Sequence, residues 1–425
     1  MEKTTANPGD YVEISLINKS YKGVFLESPE SEKGIVLVKL DTGYNIGFNK
    51  KDVLEIKVLR KFRETEKKDE EIKKDREKPN IAMIITGGTI AARLNPKKGG
   101  VDWLTSPEDL FRFYPEIFER VNVARVEIPF MKASEDMDFR DWQKIARTAE
   151  KLLNDQNIKG IIITHGTDFL HYTAAALSFF LKDLNKPVVL TYSQRSIDRA
   201  SSDANLNLQC SALAAISDIA EVMLVGHATT NDDFCYAMPG TKVRKLHSSR
   251  RDAFKVVNGK PLAKIYPDRI EKISEYKTRN KKKVKVDVKF EEKVALIKFY
   301  PGQDPSILDY YLKNKYKGIV IEMGALGHVA TMRARHGWTR KLKEVQQKGL
   351  IVCAVTQCIF GRTDPLVYSN GREILSTGVI YLEDMLAETA FVKLGYVLAK
   401  TKNREEVKRL MLTNMAGELS DRLEE

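Results

Sequence analysis

Short apolar runs bounded by glycine, proline or polar residues recur through the middle of the chain, at 81–85, 160–164, 188–191 and 221–226. Runs of this length with no polar alternation predict strands buried on both faces of a parallel sheet. Between them, 140–153 shows helical periodicity and 169–181 is apolar nearly throughout, which fits a crossover helix packed on such a sheet. A second series, 294–300, 318–322 and 350–355 with helices between, predicts a smaller α/β lobe. The N-terminal region has a different pattern: four short strands, at 11–16, 21–26, 34–40 and 44–48, separated by turn residues such as Asn18-Lys19-Ser20 and Asp41-Thr42-Gly43. Strands so closely spaced predict a small β-barrel, because closure removes the edges a lone meander exposes.

Charge marks the joints between these regions. From Arg60 to Lys78 nearly every residue is charged, with both signs mixed, so the run cannot bury a core. A basic stretch containing Lys281-Lys282-Lys283 interrupts the periodicity again. The predicted organisation is therefore a barrel at 1–58, a charged linker at 59–79, a main α/β lobe at 80–276, a basic linker at 277–293 and a smaller lobe at 294–425, with no internal repeat.

Composition narrows the class. The chain has 425 residues, 43% of them hydrophobic, enough for two or three cored domains. It has no apolar run of membrane-spanning length, and Met1-Glu2-Lys3-Thr4-Thr5 lacks the start of a secretory signal, so a soluble cytoplasmic protein is expected. The formal charge of +12 fits an anionic partner and equally a basic proteome. The four cysteines, Cys210, Cys235, Cys353 and Cys358, have no zinc or redox-motif spacing; Cys353 and Cys358 read as small buried hydrophobes. The histidines, likewise, lack metal-ligand spacing, and no metal is expected.

Two of the predicted strands run into hydroxyl-bearing loops, Thr86-Gly87-Gly88-Thr89 and Thr164-His165-Gly166-Thr167-Asp168. Sites in open α/β sheets form beyond the carboxyl ends of strands, where Thr89, Thr167 and Asp168 would project. A tight glycine turn without chemistry is the plainer reading of either loop alone. A phosphate cradle is less favoured still at the first, which has neither the glycine spacing nor the lysine of one. Together the loops offer hydroxyl nucleophiles, a carboxylate, and backbone N–H groups at Gly87-Gly88 and Gly166-Thr167 that a developing oxyanion can approach.

Thr86 to Ala91, reading Thr-Gly-Gly-Thr-Ile-Ala, and His165 to Asp168, reading His-Gly-Thr-Asp, resemble the two signatures of the L-asparaginase/glutaminase amidohydrolases. A third element is Arg244-Lys245-Leu246-His247. The resemblance runs from about Ile81 to the C-terminus. The long segment before Ile81, the stretch Lys245 to Phe254 and Asn414-Met415-Ala416-Gly417-Glu418 are similar, within that family, to the archaeal glutamyl-tRNA(Gln) amidotransferase D subunits.

The resemblance implies an asparaginase-like two-lobed α/β fold behind the small barrel. It gives Thr89 as the nucleophile on the side-chain amide carbon and Thr167, Asp168 and Lys245 as the proton-handling group, with His165 structural. It assigns substrate binding to Ser134, Glu135, Gly88 and Gly166: Ser134 on the α-carboxylate, Glu135 or Asp168 on the α-ammonium. A helix N-cap is the alternative for Ser134.

The implied activity is glutamine hydrolysis that supplies ammonia to convert Glu-tRNA(Gln) into Gln-tRNA(Gln). No cofactor is implied in this chain; ATP and Mg²⁺ belong to a kinase-like partner, the amidotransferase E subunit. A homodimer core within the heteromer is implied too. Two departures stand out: residues 90–110 contain no loop tyrosine, only Trp103 and Pro96 being of note there, and Glu322 to His328 reads Met-Gly-Ala where the family has Gly-Thr-Gly. The rival readings are an independent cytoplasmic L-asparaginase and a non-catalytic tRNA- or protein-binding module.

Overall fold

The central apolar runs lie side by side in an eight-stranded sheet. Its order is Ile270–Lys272, Ala263–Ile265, Cys235–Pro239, Val222–His227, Val188–Thr191, Ile161–Thr164, Asn80–Ile85 and Asn122–Glu127. The computed structural model describes residues 6–26, 34–41, 45–62, 75, 77–95, 100–103, 114–195 and 201–423, without the side chains of 91–95 and 100–103. The five strands from Val222–His227 to Asn122–Glu127 are parallel, whereas the three on the other side are antiparallel, so the sheet is mixed rather than purely parallel.

Strand parity explains why the runs are apolar at every position. Ala82, Ile84, Ile161 and Ile163 enter the core beneath the helices Phe139–Leu153 and Leu170–Phe180. Ile81, Met83, Ile85 and Ile162 enter the opposite core with the helix Ala204–Ile216. Burial of each isoleucine or methionine among them contributes about 1.5–3 kcal/mol.

The second lobe is a four-stranded parallel sheet, Val294–Lys298, Gly318–Met323, Ile351–Thr356 and Ile380–Tyr381. Helix Ala387–Leu398 joins the lobes, its Ala390, Leu394 and Val397 sharing a core with Ala174 and Leu177 of the main lobe. Its Lys393 is fully buried, paired with Glu418 at 2.5 Å and donating to the carbonyls of Met411 and Thr413. Glu418 also accepts from the N–H groups of Met415 and Ala416. The Asn414 to Glu418 signature is thus a clasp that fastens the C-terminal segment. Thr241, three residues before Arg244, donates to the Ala416 carbonyl.

The N-terminal region forms an antiparallel sheet in the order Asn45–Asn49, Ile35–Leu40, Ser20–Leu26, Tyr11–Ser15, Glu55–Arg60. The last strand is a fifth, beyond the four expected, and it runs from the end of the expected barrel into the first residues of the expected linker. Phe48 from one edge strand and Ile56 and Val58 from the other border the same small core as Val12, Ile14 and Val38. The sheet therefore wraps around that core, while the described pairings leave its two edge strands unjoined. Most of the expected linker, residues 63–74 and 76, and the turn residues Thr42 and Gly43 lie outside the described residues.

Residues 277–293 do not behave as the expected linker. Val284 is buried, Lys285–Val286 pairs with Leu181–Lys182, and Phe290 stacks on Phe139 with ring centroids 5.4 Å apart. Alternating Val284, Val286, Val288 and Phe290 give the segment one apolar face despite its charge. Lys281, Lys282 and Lys283 are exposed, Lys282 lying 3.5 Å from Asp183. Cys358 is exposed beyond the end of its strand, contrary to the buried role expected for it; Cys210, Cys235 and Cys353 are buried. Among the described residues, no helix is long and apolar enough to cross a membrane.

Candidate active site

Asn80–Ile85 and Ile161–Thr164 are neighbours in parallel register, Ile85 opposite Thr164, so both signature loops leave the sheet at one edge. Thr86 ties them together, its N–H and hydroxyl both donating to the Thr164 carbonyl, at 3.2 and 2.8 Å. Gly87 and Gly88 take φ of +129° and +87°, conformations that exclude most side chains. A Cβ on Gly88 would lie 2.6 Å from the carbonyl carbon of His165, and one on Gly87 would lie 2.3 Å from the Lys132 carbonyl oxygen. The glycines are there because three backbones meet. Thr89 follows at once, half-buried at the start of a 3-10 turn, Thr89–Ala91.

Lys245 reaches the second loop from the short hairpin Val243–Lys245 and Phe254–Val256. Its Nζ donates to Thr167 Oγ1 at 2.8 Å and to Asp168 Oδ1 at 2.7 Å, and Thr167 Oγ1 donates to the same Asp168 oxygen at 3.2 Å. The three side chains form a closed triangle. Lys245 is 9% exposed and Asp168 59%, so the lysine stem is sheathed while the carboxylate opens to solvent. The Lys245 ammonium holds the Asp168 carboxyl below its ordinary range, with Thr167 adding to the effect against partial burial.

Ser134 is buried beside this loop. Its Oγ accepts from the Phe169 N–H at 3.3 Å and donates to Glu135 Oε2 at 3.4 Å, and Gly166 leaves a position where a Cβ would sit 3.1 Å from Ser134 Cβ. Glu135 is exposed. The helix-cap alternative for Ser134 does not hold for the following helix, which is capped by Asp138 in a capping box with Asp141. Asp141 in turn pairs with Lys132 at 2.8 Å, fixing the loop that carries Ser134. All the sequence-derived positions, Thr89, Thr167, Asp168, Lys245, Ser134, Glu135, Gly88 and Gly166, therefore lie on segments that converge on one edge.

His165 is 1% exposed and spans its own loop. The Gly166 carbonyl, 2.7 Å from Nδ1, can only accept, so Nδ1 carries the proton and Nε2 accepts from the Thr173 hydroxyl at 2.8 Å. Burial pushes the imidazole down to about 4. The unfolded chain protonates this ring near 6.5 and the folded protein only near 4, so its contribution to stability is complete above 6.5 and is lost as pH falls toward 4. The melting temperature is expected to fall across that interval, and less steeply in His165→Gln, which keeps a donor and an acceptor. Equal slopes in calorimetric scans of the two proteins would remove His165 from this account.

Tyr114 is a residue the sequence reading misses. Buried, it donates to the Ile90 carbonyl at 3.2 Å and so pins the turn that begins at Thr89; burial raises its hydroxyl far above the ordinary phenol range. It lies beyond residues 90–110, where the loop tyrosine is absent. Within that stretch Ala92–Asn95 and Gly100–Trp103 pair as a hairpin, while Pro96 and the Trp103 side chain lie outside the described residues. Glu322 to His328 closes into a tight loop at the carboxyl edge of the second sheet, Gly324 and His328 exchanging N–H···O bonds of 2.8 Å.

Three family models match the chain: "GatD N-terminal domain" over residues 6–59, "Asparaginase, N-terminal" over 80–278 and "Glutaminase/Asparaginase C-terminal domain" over 293–411. The chain is 45% identical to the D subunit of glutamyl-tRNA(Gln) amidotransferase from Thermococcus kodakarensis, covering 94% of this chain and 91% of the relative. It is 45% identical to that of Pyrococcus furiosus, with 97% and 94% covered. Among solved structures, the thermostable L-asparaginase from Thermococcus kodakarensis superposes with a TM-score of 0.71 and 28% identity, over 81% of this chain and 100% of the other. L-asparaginase I from Vibrio cholerae gives 0.68 and 30%, over 81% and 99%.

Proposed function

Because the chain belongs to the family of glutamyl-tRNA(Gln) amidotransferase D subunits, we propose that its glutamine-hydrolysing site is built on Thr89, Thr167, Asp168 and Lys245. It is the glutaminase component of a tRNA-dependent amidotransferase, an asparaginase-like amidohydrolase working in protein biosynthesis. The observation that carries the site is the Thr167–Asp168–Lys245 triangle, closed by three hydrogen bonds beside the Thr89 loop.

In this reading the Thr89 hydroxyl attacks the side-chain amide carbon of glutamine. Backbone N–H groups around Gly88 and Gly166 receive the developing oxyanion. Asp168 and Lys245 act through Thr167 to take the nucleophile's proton and return it to the leaving nitrogen, which departs as ammonia. Water then attacks the acyl ester, giving glutamate and restoring Thr89. Ser134 faces the substrate α-carboxylate, and Glu135 or Asp168 the α-ammonium. No step calls for a metal or cofactor in this chain.

Ammonia made here is consumed on Glu-tRNA(Gln). That requires activation of the glutamyl γ-carboxylate by ATP and Mg²⁺, which we assign to the kinase-like partner, the amidotransferase E subunit. The chain acts in the cytoplasm as a homodimer core within the heteromer. Support for contacts between chains comes from Ile359, Phe360, Leu366, Val367 and Tyr368, all exposed within one stretch of the second lobe.

Hydrolysis without an acceptor would waste glutamine, so the site is held idle until the partner and its tRNA favour its active conformation. Ammonia release is expected to be slow for the chain alone and markedly faster with the kinase-like partner and Glu-tRNA(Gln), with asparagine a poor donor. Equal rates for the chain alone, with the partner, and with partner and tRNA, together with a preference for asparagine, would establish an independent L-asparaginase instead.

A further inference from the structure

Glu388 belongs to the helix that joins the two lobes, yet its carboxylate faces both segments that carry the proton-handling group. Oε1 forms an ion pair with Arg244 Nε at 3.0 Å and lies 3.8 Å from His171 Nε2. Arg244 immediately precedes Lys245. His171 stands in the first turn of the helix Leu170–Phe180, which the chain enters directly from Thr167-Asp168.

Successive side chains on a strand point to opposite faces. With Arg244 drawn to Glu388, Lys245 is sent the other way, toward Thr167 and Asp168. The joining helix and the turn before it hold the segment leading into the strand at two more points: Thr389 Oγ1 donates to the Thr241 carbonyl at 2.9 Å, and Asp384 pairs with Lys242 at 2.6 Å. These two contacts fix the backbone before Lys245, and the Glu388 contact sets the rotation of the residue next to it.

The cluster is not the arrangement packing alone would favour. Glu388 is 7% exposed and His171 8%, and among the described residues Glu388 Oε2 and His171 Nδ1 have no hydrogen-bond partner. Burial raises the Glu388 carboxyl and pushes the His171 imidazole down to about 3. Replacing such buried polar groups with apolar ones of similar size is often neutral or stabilising, so a carboxyl group here points to a use other than stability.

We propose that Glu388 is a positioning residue, through which the second lobe holds Lys245 and Thr167 in reacting register. The inference rests on the roles given to Lys245 and Thr167 above. Its test is a set of variants assayed in the complex with the kinase-like partner and Glu-tRNA(Gln): Glu388→Ala, Glu388→Gln, Arg244→Met, the Glu388→Ala/Arg244→Met double variant, and Lys245→Met as control. Rates are taken per folded molecule, counted from the amplitude of each variant's calorimetric unfolding transition.

Glu388→Ala and Arg244→Met are each expected to lower kcat by roughly ten- to a hundredfold, the scale of a small misplacement of reacting groups. KM for glutamine should stay within about twofold, because substrate-binding groups are untouched. The double variant should be no worse than either single one, since both cut the same link. Glu388→Gln keeps an acceptor for Arg244 and should recover most of the rate.

A lowered melting temperature with parental kcat in Glu388→Ala would reduce the residue to a structural one and overturn the proposal. If that variant does not fold, Arg244→Met with unchanged kcat would overturn it equally. A Lys245→Met control that keeps its rate would instead sink the assignment of the site itself.

Discussion

Thr89→Val and Thr167→Val should each reduce glutamine hydrolysis by about four orders of magnitude or more, the scale seen when a nucleophile or its activating partner is removed. Valine preserves the branched shape and removes only the hydroxyl, so folding should be little affected. For Thr167 the structure makes the loss specific: the hydroxyl is the corner of a triangle with Lys245 and Asp168, and removing it leaves only the direct ion pair of 2.7 Å. For Thr89 the fixed point is the backbone before it, because Gly88 abuts the His165 carbonyl. Steady-state ammonia release by either variant within a few-fold of the parent, at parental melting temperature, would refute the assignment.

Lys245→Met should lower the rate by more than the ~10²-fold typical of a lost general acid–base contribution. The lysine does two things at once. It donates to Thr167 and also to Asp168, whose carboxyl that hydrogen bond holds below its ordinary range, so its removal both frees the hydroxyl to rotate and lets the carboxyl return toward that range. The methionine stem fills the same sheath, Lys245 being 9% exposed, so stability should change little. A loss below tenfold, read as kcat for glutamine in the complex, would show that Asp168 alone activates Thr167.

Much of the main lobe is legible in the sequence because its strands are buried on both faces, which leaves unbroken apolar runs such as Ile161-Ile162-Ile163. The signature loops are legible too, since glycine is demanded wherever three backbones meet. The segment 277–293 reads as a linker because its lysines dominate the composition, although the alternation from Val284 to Phe290 carries the packing signal. The strand Glu55–Arg60 is hidden similarly, its few apolar positions, Ile56, Val58 and Leu59, lying at the start of a charged run.

What the chain alone settles is local: where strands end in hydroxyl-bearing glycine turns, which helix is a crossover, and which family the motifs resemble. These depend on near neighbours along the chain, where periodicity and backbone sterics act directly. Only folding brings Ile161–Thr164 beside Asn80–Ile85 in register, and only folding carries Lys245 to Thr167 and Asp168 across 78 and 77 positions. The same long-range packing pairs Arg244 with the Glu388 carboxylate. Such contacts leave no periodic trace, because a lysine on a short strand has the same local preferences whether it faces solvent or a threonine. Its meaning comes from which strands the fold makes neighbours, and that is fixed by the packing of whole helices and sheets.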